Sequence, residues 1–101
     1  MFIQQGDVLI KTTKIPAEAH AVARKGRGYV LAEGESTGHA HVIEDAVELL
    51  EKDGVLYIRA TAPVVVKHEE HGPVTVPAGE FEVGIVQEYD HFAEEARNVR
   101  D

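Results

Sequence analysis

The sequence predicts an all-β domain, a small barrel or sandwich of about seven or eight short strands. Three observations carry that expectation. Apolar and polar residues alternate with a period of two over short runs, as in half-buried strands. Glycine and proline cut those runs at strand-sized intervals, at Gly6, Pro16, Gly28, Gly34, Pro63, Gly72-Pro73 and Pro77-Ala78-Gly79. Finally, Asp53-Gly54 stands between two apolar-rich runs, the strongest short hairpin signal, because both central residues of a type I′ turn need positive φ.

Taken in order, residues 6–13 read as a turn and a strand, with Val8, Ile10 and Thr12 on one face and Leu9, Lys11 and Thr13 on the other. Pro16 ends that run. The alanine-rich stretch 17–24 fits either two helical turns or a short strand. Residues 28–34 form a second strand bounded by glycines, and 35–38 a connecting turn. The strand at 39–43 then presents His39, His41 and Ile43 to one side.

Residues 46–52 and 55–60 flank the Asp-Gly turn. A two-residue loop pairs Lys52 with Val55, Leu49 with Ile58, Glu48 with Arg59 and Val47 with Ala60. That register gathers Val47, Leu49, Leu56, Ile58 and Ala60 on one face. A β-branched strand at 64–68 delivers His68, a short strand follows at 74–76, and the longest runs from 80 to 89. Residues 90–100 read as a short helix capped by Asp90, or as a tail docking Phe92 and Val99 on the sheet.

With 101 residues, 44% hydrophobic and 28% charged, the chain is expected to form one folded β domain, 1–101, without repeats or a linker. No apolar run approaches the roughly 20 residues that span a bilayer, and the first residues do not resemble a signal peptide. A cytoplasmic location and no membrane partner are therefore expected. The net charge of -8 argues against nucleic acid, since phosphate neutralisation drives that binding. The cluster Arg24-Lys25-Gly26-Arg27 reads as a solvated loop. The absence of cysteine excludes disulfides, thiolate ligands and a cysteine nucleophile. Ser36 lacks a nucleophile-elbow context, and Gly26-Arg27-Gly28 is too short for a phosphate loop.

The chemistry concentrates in histidine. Four of the six histidines fall into two pairs, His39-Ala-His41 and His68-Glu-Glu-His71. An His-x-His on a strand points both imidazoles to one side, and two neutral imidazoles supply half of a tetrahedral site. His68 and His71 converge on the same point if the chain bends at Gly72-Pro73. The expected ligands of a divalent metal ion are therefore His39, His41, His68 and His71. Zinc is the first choice, with nickel, iron or manganese left open. Glu44, Glu69 and Glu70 are the candidate catalytic carboxylates, as proton carriers or as a further ligand. His20 and His91 stand alone and read as surface residues.

The function expected is a metal-binding β protein, with a small-molecule substrate if it is a hydrolase or oxygenase. The alternative is a non-catalytic binding or oligomerisation module whose histidines are structural. A homo-oligomer is expected on either reading, because a small β domain has edges to hide.

Two resemblances follow from these motifs. The spacing Gly34-x4-His39-x-His41-x2-Glu44 is similar to a shortened first cupin motif, which implies His39, His41 and Glu44 as ligands. In the second cupin motif the Pro-x-Gly precedes the histidine, whereas here Pro77-Ala78-Gly79 follows His68 and His71. Gly6-Asp-Val8, the run from Leu31 to His41, His68-Glu-Glu-His-x-Pro73, Pro77-Ala-Gly79 and Gln87-Glu-Tyr89 together resemble a small bacterial family without an assigned activity. That resemblance spans nearly the whole chain and implies that both histidine pairs belong to one design.

Overall fold

Two antiparallel sheets pack face to face in a sandwich, not a closed barrel, and share one apolar core. The structure, a computed structural model, describes residues 2–26, 28–33 and 39–86. Ten strands occur among them: β1 (Phe2–Gln5), β2 (Val8–Thr12), β3 (His20–Ala21), β4 (Tyr29–Glu33), β5 (Ala40–Ile43), β6 (Glu48–Lys52), β7 (Val55–Ala60), β8 (Val64–Lys67), β9 (Val74–Val76) and β10 (Gly79–Ile85). One sheet has the order β1-β2-β10-β7-β6-β3, the other β4-β5-β8-β9. No helix of the described residues is long and apolar enough to cross a membrane.

The alternation read from the sequence decides which side chains meet between the sheets. Val8 and Ile10 on β2, Ile58 on β7, Phe81 and Val83 on β10 are buried from one side, and Leu31, Ile43, Val64, Val66 and Val76 from the other. Burial of such side chains contributes roughly 1.5–3 kcal/mol each, which is why a one-residue slip in any strand is disfavoured.

The β6–β7 hairpin has the expected register, with Lys52 opposite Val55, Leu49 opposite Ile58 and Glu48 opposite Arg59. Asp53 and Gly54 take φ of 54° and 81°. One strand, β1, exceeds the sequence expectation, and of the two forms left open for 17–24 the short strand is the one present. Phe2–Gln5 pairs with β2 across the Gly6-Asp7 turn, and the ambiguous alanine-rich stretch contributes only His20–Ala21, which covers the outer edge of β6. The final strand ends at Ile85, and the helix or tail expected at 90–100 lies outside the described residues.

Three connections bring the chemistry to one place. The β1–β2 turn, the start of β5 and the β8–β9 connection meet where β1 lies beside β9 and closes that edge of the sandwich.

Candidate metal centre

The four histidines expected to act together form one connected set of ring contacts. The ring of His68 is the hub, with centroids 4.3 Å from His41, 4.7 Å from His71 and 5.8 Å from His39. His41 and His71 stack nearly parallel at 6.1 Å. Strand alternation explains one half of this: His41 follows the inward face of β5 with Ile43, and His39 precedes it on the same side. The other half comes from the bend after β8, which turns His71 back toward His68 and seats it against Gly6. A Cβ at Gly6 would lie 2.6 Å from His71 Nε2, and Gly6 has φ of +57°, so both the space and the backbone require glycine there.

His41 is 2% exposed and its tautomer follows from its partners. Gln5, also buried, donates both hydrogens of its amide, to Val66 O at 3.0 Å and to Gly72 O at 2.9 Å. Its Oε1 is therefore an acceptor, and His41 Nδ1, 2.8 Å away, must be the donor. In the neutral ring this leaves the lone pair on Nε2, 3.6 Å from Asp7 Oδ1. Burial lowers the pKa of His41 below the usual imidazole value. The neighbouring His68 and His71 act in the same direction and Asp7 opposes them.

His68 is arranged the opposite way. Its Nδ1 accepts from the backbone N–H of Glu70 at 3.0 Å and of His71 at 3.3 Å, so the ring caps its own turn and the neutral proton sits on Nε2. Glu69 accepts from the N–H of Ala40 at 2.9 Å, which ties the turn to β5 and holds its carboxyl below the ordinary range. Glu70 lies 3.6 Å from His39 Nδ1.

The donor atoms of His39, His68 and Glu69 lie within 4.8 Å of one another, a group of three possible ligands among the described residues. His41 and His71 adjoin this group through ring contact without joining that convergence. Of the candidate carboxylates, Glu69 and Glu70 are in the cluster. Glu44 follows Ala40 and Val42 on the outer side of β5 and pairs with Lys67 at 3.1 Å. Together with His68 and Glu69, these four residues line a depression of about 150 Å³.

The family model for a domain of unknown function, DUF8820, matches residues 4–86. The chain belongs to this family. No curated protein and no solved structure matches the chain. The matched region holds the whole cluster, from Gln5 to Gly72.

Gln5 and Asp7 are the site residues that sequence reasoning missed. Gln5 sits among inward-facing apolar positions, and a polar residue in such a place needs hydrogen-bond partners. The sequence carries no signal for that placement, because Phe2-Ile3-Gln4-Gln5 does not alternate apolar with polar. Nothing local marks Asp7, because its approach to His41 joins segments far apart in the chain.

Proposed function

We propose that this domain binds a divalent metal ion at the histidine cluster, with His39, His68 and Glu69 as ligands and a small molecule as substrate. The convergence of those three donor sets within 4.8 Å carries the reading. Two imidazoles and one carboxylate suit zinc with an open position, and equally non-haem iron. Glu70 beside His39 Nδ1 orients that ring and favours Nε2 as its ligating atom. A bound ion supplies a Lewis acid and a water of lowered pKa. Glu70, largely exposed, can pass a proton to solvent, whereas one oxygen of Glu69 is engaged by Ala40. The depression beside His68 and Glu69 has room for a small molecule. One chain supplies every ligand, so the site needs no second copy.

A specific observation favours a second reading, in which the histidines are structural. His68 Nδ1 already caps the turn and His41 Nδ1 already holds Gln5. Ligation of a neutral His68 through either nitrogen takes the Nδ1 lone pair away from the amides of Glu70 and His71, because Nε2 ligation moves the proton to Nδ1. Elemental analysis of untagged protein, as purified and after chelation, separates the readings when paired with a His39→Ala/His41→Ala double variant. Near-stoichiometric metal that the double variant lacks is the expected result, with faster amide exchange at Glu70 and His71 in the loaded protein. No metal uptake, and unchanged stability on adding zinc, nickel, iron or manganese, would leave the structural reading.

A further inference from the structure

The His41–Asp7 contact remains after the His39–His68–Glu69 group is assigned. Gln5 cannot offer His41 anything but an acceptor, since both its amide hydrogens go to Val66 O and Gly72 O. In the neutral ring the His41 proton is thereby on Nδ1, and Nε2, the unprotonated nitrogen, lies 3.6 Å from a carboxylate oxygen of Asp7. Two electron-pair donors this close repel unless something positive, a proton or a metal ion, lies between them, and burial disfavours the proton. Two ligands each about 2.0–2.2 Å from one ion, at a tetrahedral angle, stand about 3.3–3.6 Å apart. The observed separation is at that distance.

We propose that Asp7, carried by the β1–β2 turn, and Nε2 of His41 together ligate a divalent cation, so that the centre extends beyond the His-Glu-Glu-His segment to the first hairpin. This rests on the metal-binding reading above. The class of ion is the borderline one that accepts both imidazole and carboxylate, Zn²⁺ first. Water completes the shell on the exposed side, where the Asp7 side chain is 55% accessible. Gln5 is the positioning residue: its amide, locked by two carbonyls, does for His41 what an outer-shell partner does for a metal-bound histidine, fixing tautomer and ring angle. The positive φ of Gly6, held under the ring of His71, sets the turn that brings Asp7 to this position. Because the ring of His68 lies 4.3 Å from that of His41, this position adjoins the His39–His68–Glu69 group.

The test uses Zn²⁺ alone as the probe, titrated calorimetrically into chelated full-length protein: wild type, Asp7→Asn, His39→Ala and the surface control Glu48→Gln. Asp7→Asn is expected to weaken Zn²⁺ binding at least tenfold or to remove one bound equivalent, while Glu48→Gln does neither. Adding His41→Gln to Asp7→Asn should bring little further loss, because both residues hold the same ion. Long-range ¹H–¹⁵N correlation spectra of the metal-free protein should show His41 as the Nδ1–H tautomer. Wild-type affinity in Asp7→Asn, with weakened binding in His39→Ala, overturns the Asp7 assignment and leaves the histidine centre standing. A wild type that binds no Zn²⁺ overturns both. An Nε2–H tautomer for His41 overturns the assignment. So does an Asp7→Asn variant that shifts His41 titration yet keeps full Zn²⁺ affinity, since Asp7 would then be only a counter-ion.

Discussion

At Asp53 and Gly54 the chain reverses between β6 and β7 with two residues at positive φ, and every pairing on either side follows from that turn. Between β8 and β9 the chain also reverses, but its geometry comes from elsewhere. Gln5 reaches across to Val66 O and Gly72 O, Glu69 reaches back to Ala40 N–H, and His68 folds onto the amides of Glu70 and His71. The first reversal is local chemistry completed by surface ion pairs such as Arg59 with Glu48. The second gathers polar groups from three distant segments and brings possible ligand atoms of His39, His68 and Glu69 within 4.8 Å of one another. Turns of the first kind are scaffold; the second kind is where ligand chemistry can arise, because its donors are fixed by tertiary structure and not spent on the backbone ladder.

The largest break in this contrast comes from Gln5→Ala. It leaves the Nδ1–H of His41 and the carbonyls of Val66 and Gly72 without their partner, in a buried place where each lost hydrogen bond is costly. A loss of about 2–4 kcal/mol is expected from urea unfolding, along with loss of the His41 tautomer preference. Gln5→Glu should also be destabilising, because a carboxylate cannot donate to either carbonyl.

A matched pair of alanine substitutions compares the two reversals directly. At Gly54 (φ +81°) nothing lies within 4 Å of an added Cβ, so Gly54→Ala meets backbone strain alone, about 1 kcal/mol. At Gly6 the same change adds a clash with His71 Nε2, and the expected loss is about 2 kcal/mol. Metal affinity distinguishes them further: Gly6→Ala displaces His71 and Asp7 and should weaken Zn²⁺ binding, whereas Gly54→Ala should leave it unchanged. Equal effects of both on affinity would show that the β1–β2 turn does not shape the centre.

The same contrast explains what could be read from the sequence. The sandwich was legible wherever the rule is local: period-two alternation placed Val8, Ile10, Leu49, Ile58 and Phe81 inward, and Asp53-Gly54 set a register the structure reproduces. Strand β1 was not legible because Phe2–Gln5 alternates against expectation, with Phe2 60% exposed and Gln5 buried. Strand β3 has two residues and exists because it covers β6, a tertiary reason. The proximity of His39, His41, His68 and His71 was legible from their spacing and the expectation of a bend, although the chain bends at Glu69–His71 and not at Gly72-Pro73. The division of labour among them was not. Which nitrogen of His41 or His68 carries the proton depends on Gln5 and on the amides of Glu70 and His71, partners no spacing rule names.

The smallest expected effect is that of pH, since it withdraws one group's preference without removing a contact. His41 has its pKa lowered in the folded state, chiefly by burial. Its unfolded value is the ordinary one of about 6.5, so below that pH the unfolded chain binds more protons than the folded one. Stability contributed by the neutral ring is fully present above about pH 6.5 and is lost as the pH falls from there through the folded pKa. Urea midpoints measured in metal-free protein should therefore decline from pH 7.5 to pH 5.5. Amide exchange, corrected for its intrinsic pH dependence, locates the loss: protection should fall at Ala40 and His71 before it falls at Leu50 and Tyr57 in the β6–β7 hairpin. Glu69, whose pKa is also lowered, adds a second loss only at more acidic pH, as its carboxylate protonates and releases Ala40. A flat profile from pH 7.5 to 5.5, or a loss shared equally by both hairpins, would mean that Gln5 and Asp7 compensate the burial of His41, and that the cluster is no weaker in acid than the scaffold around it.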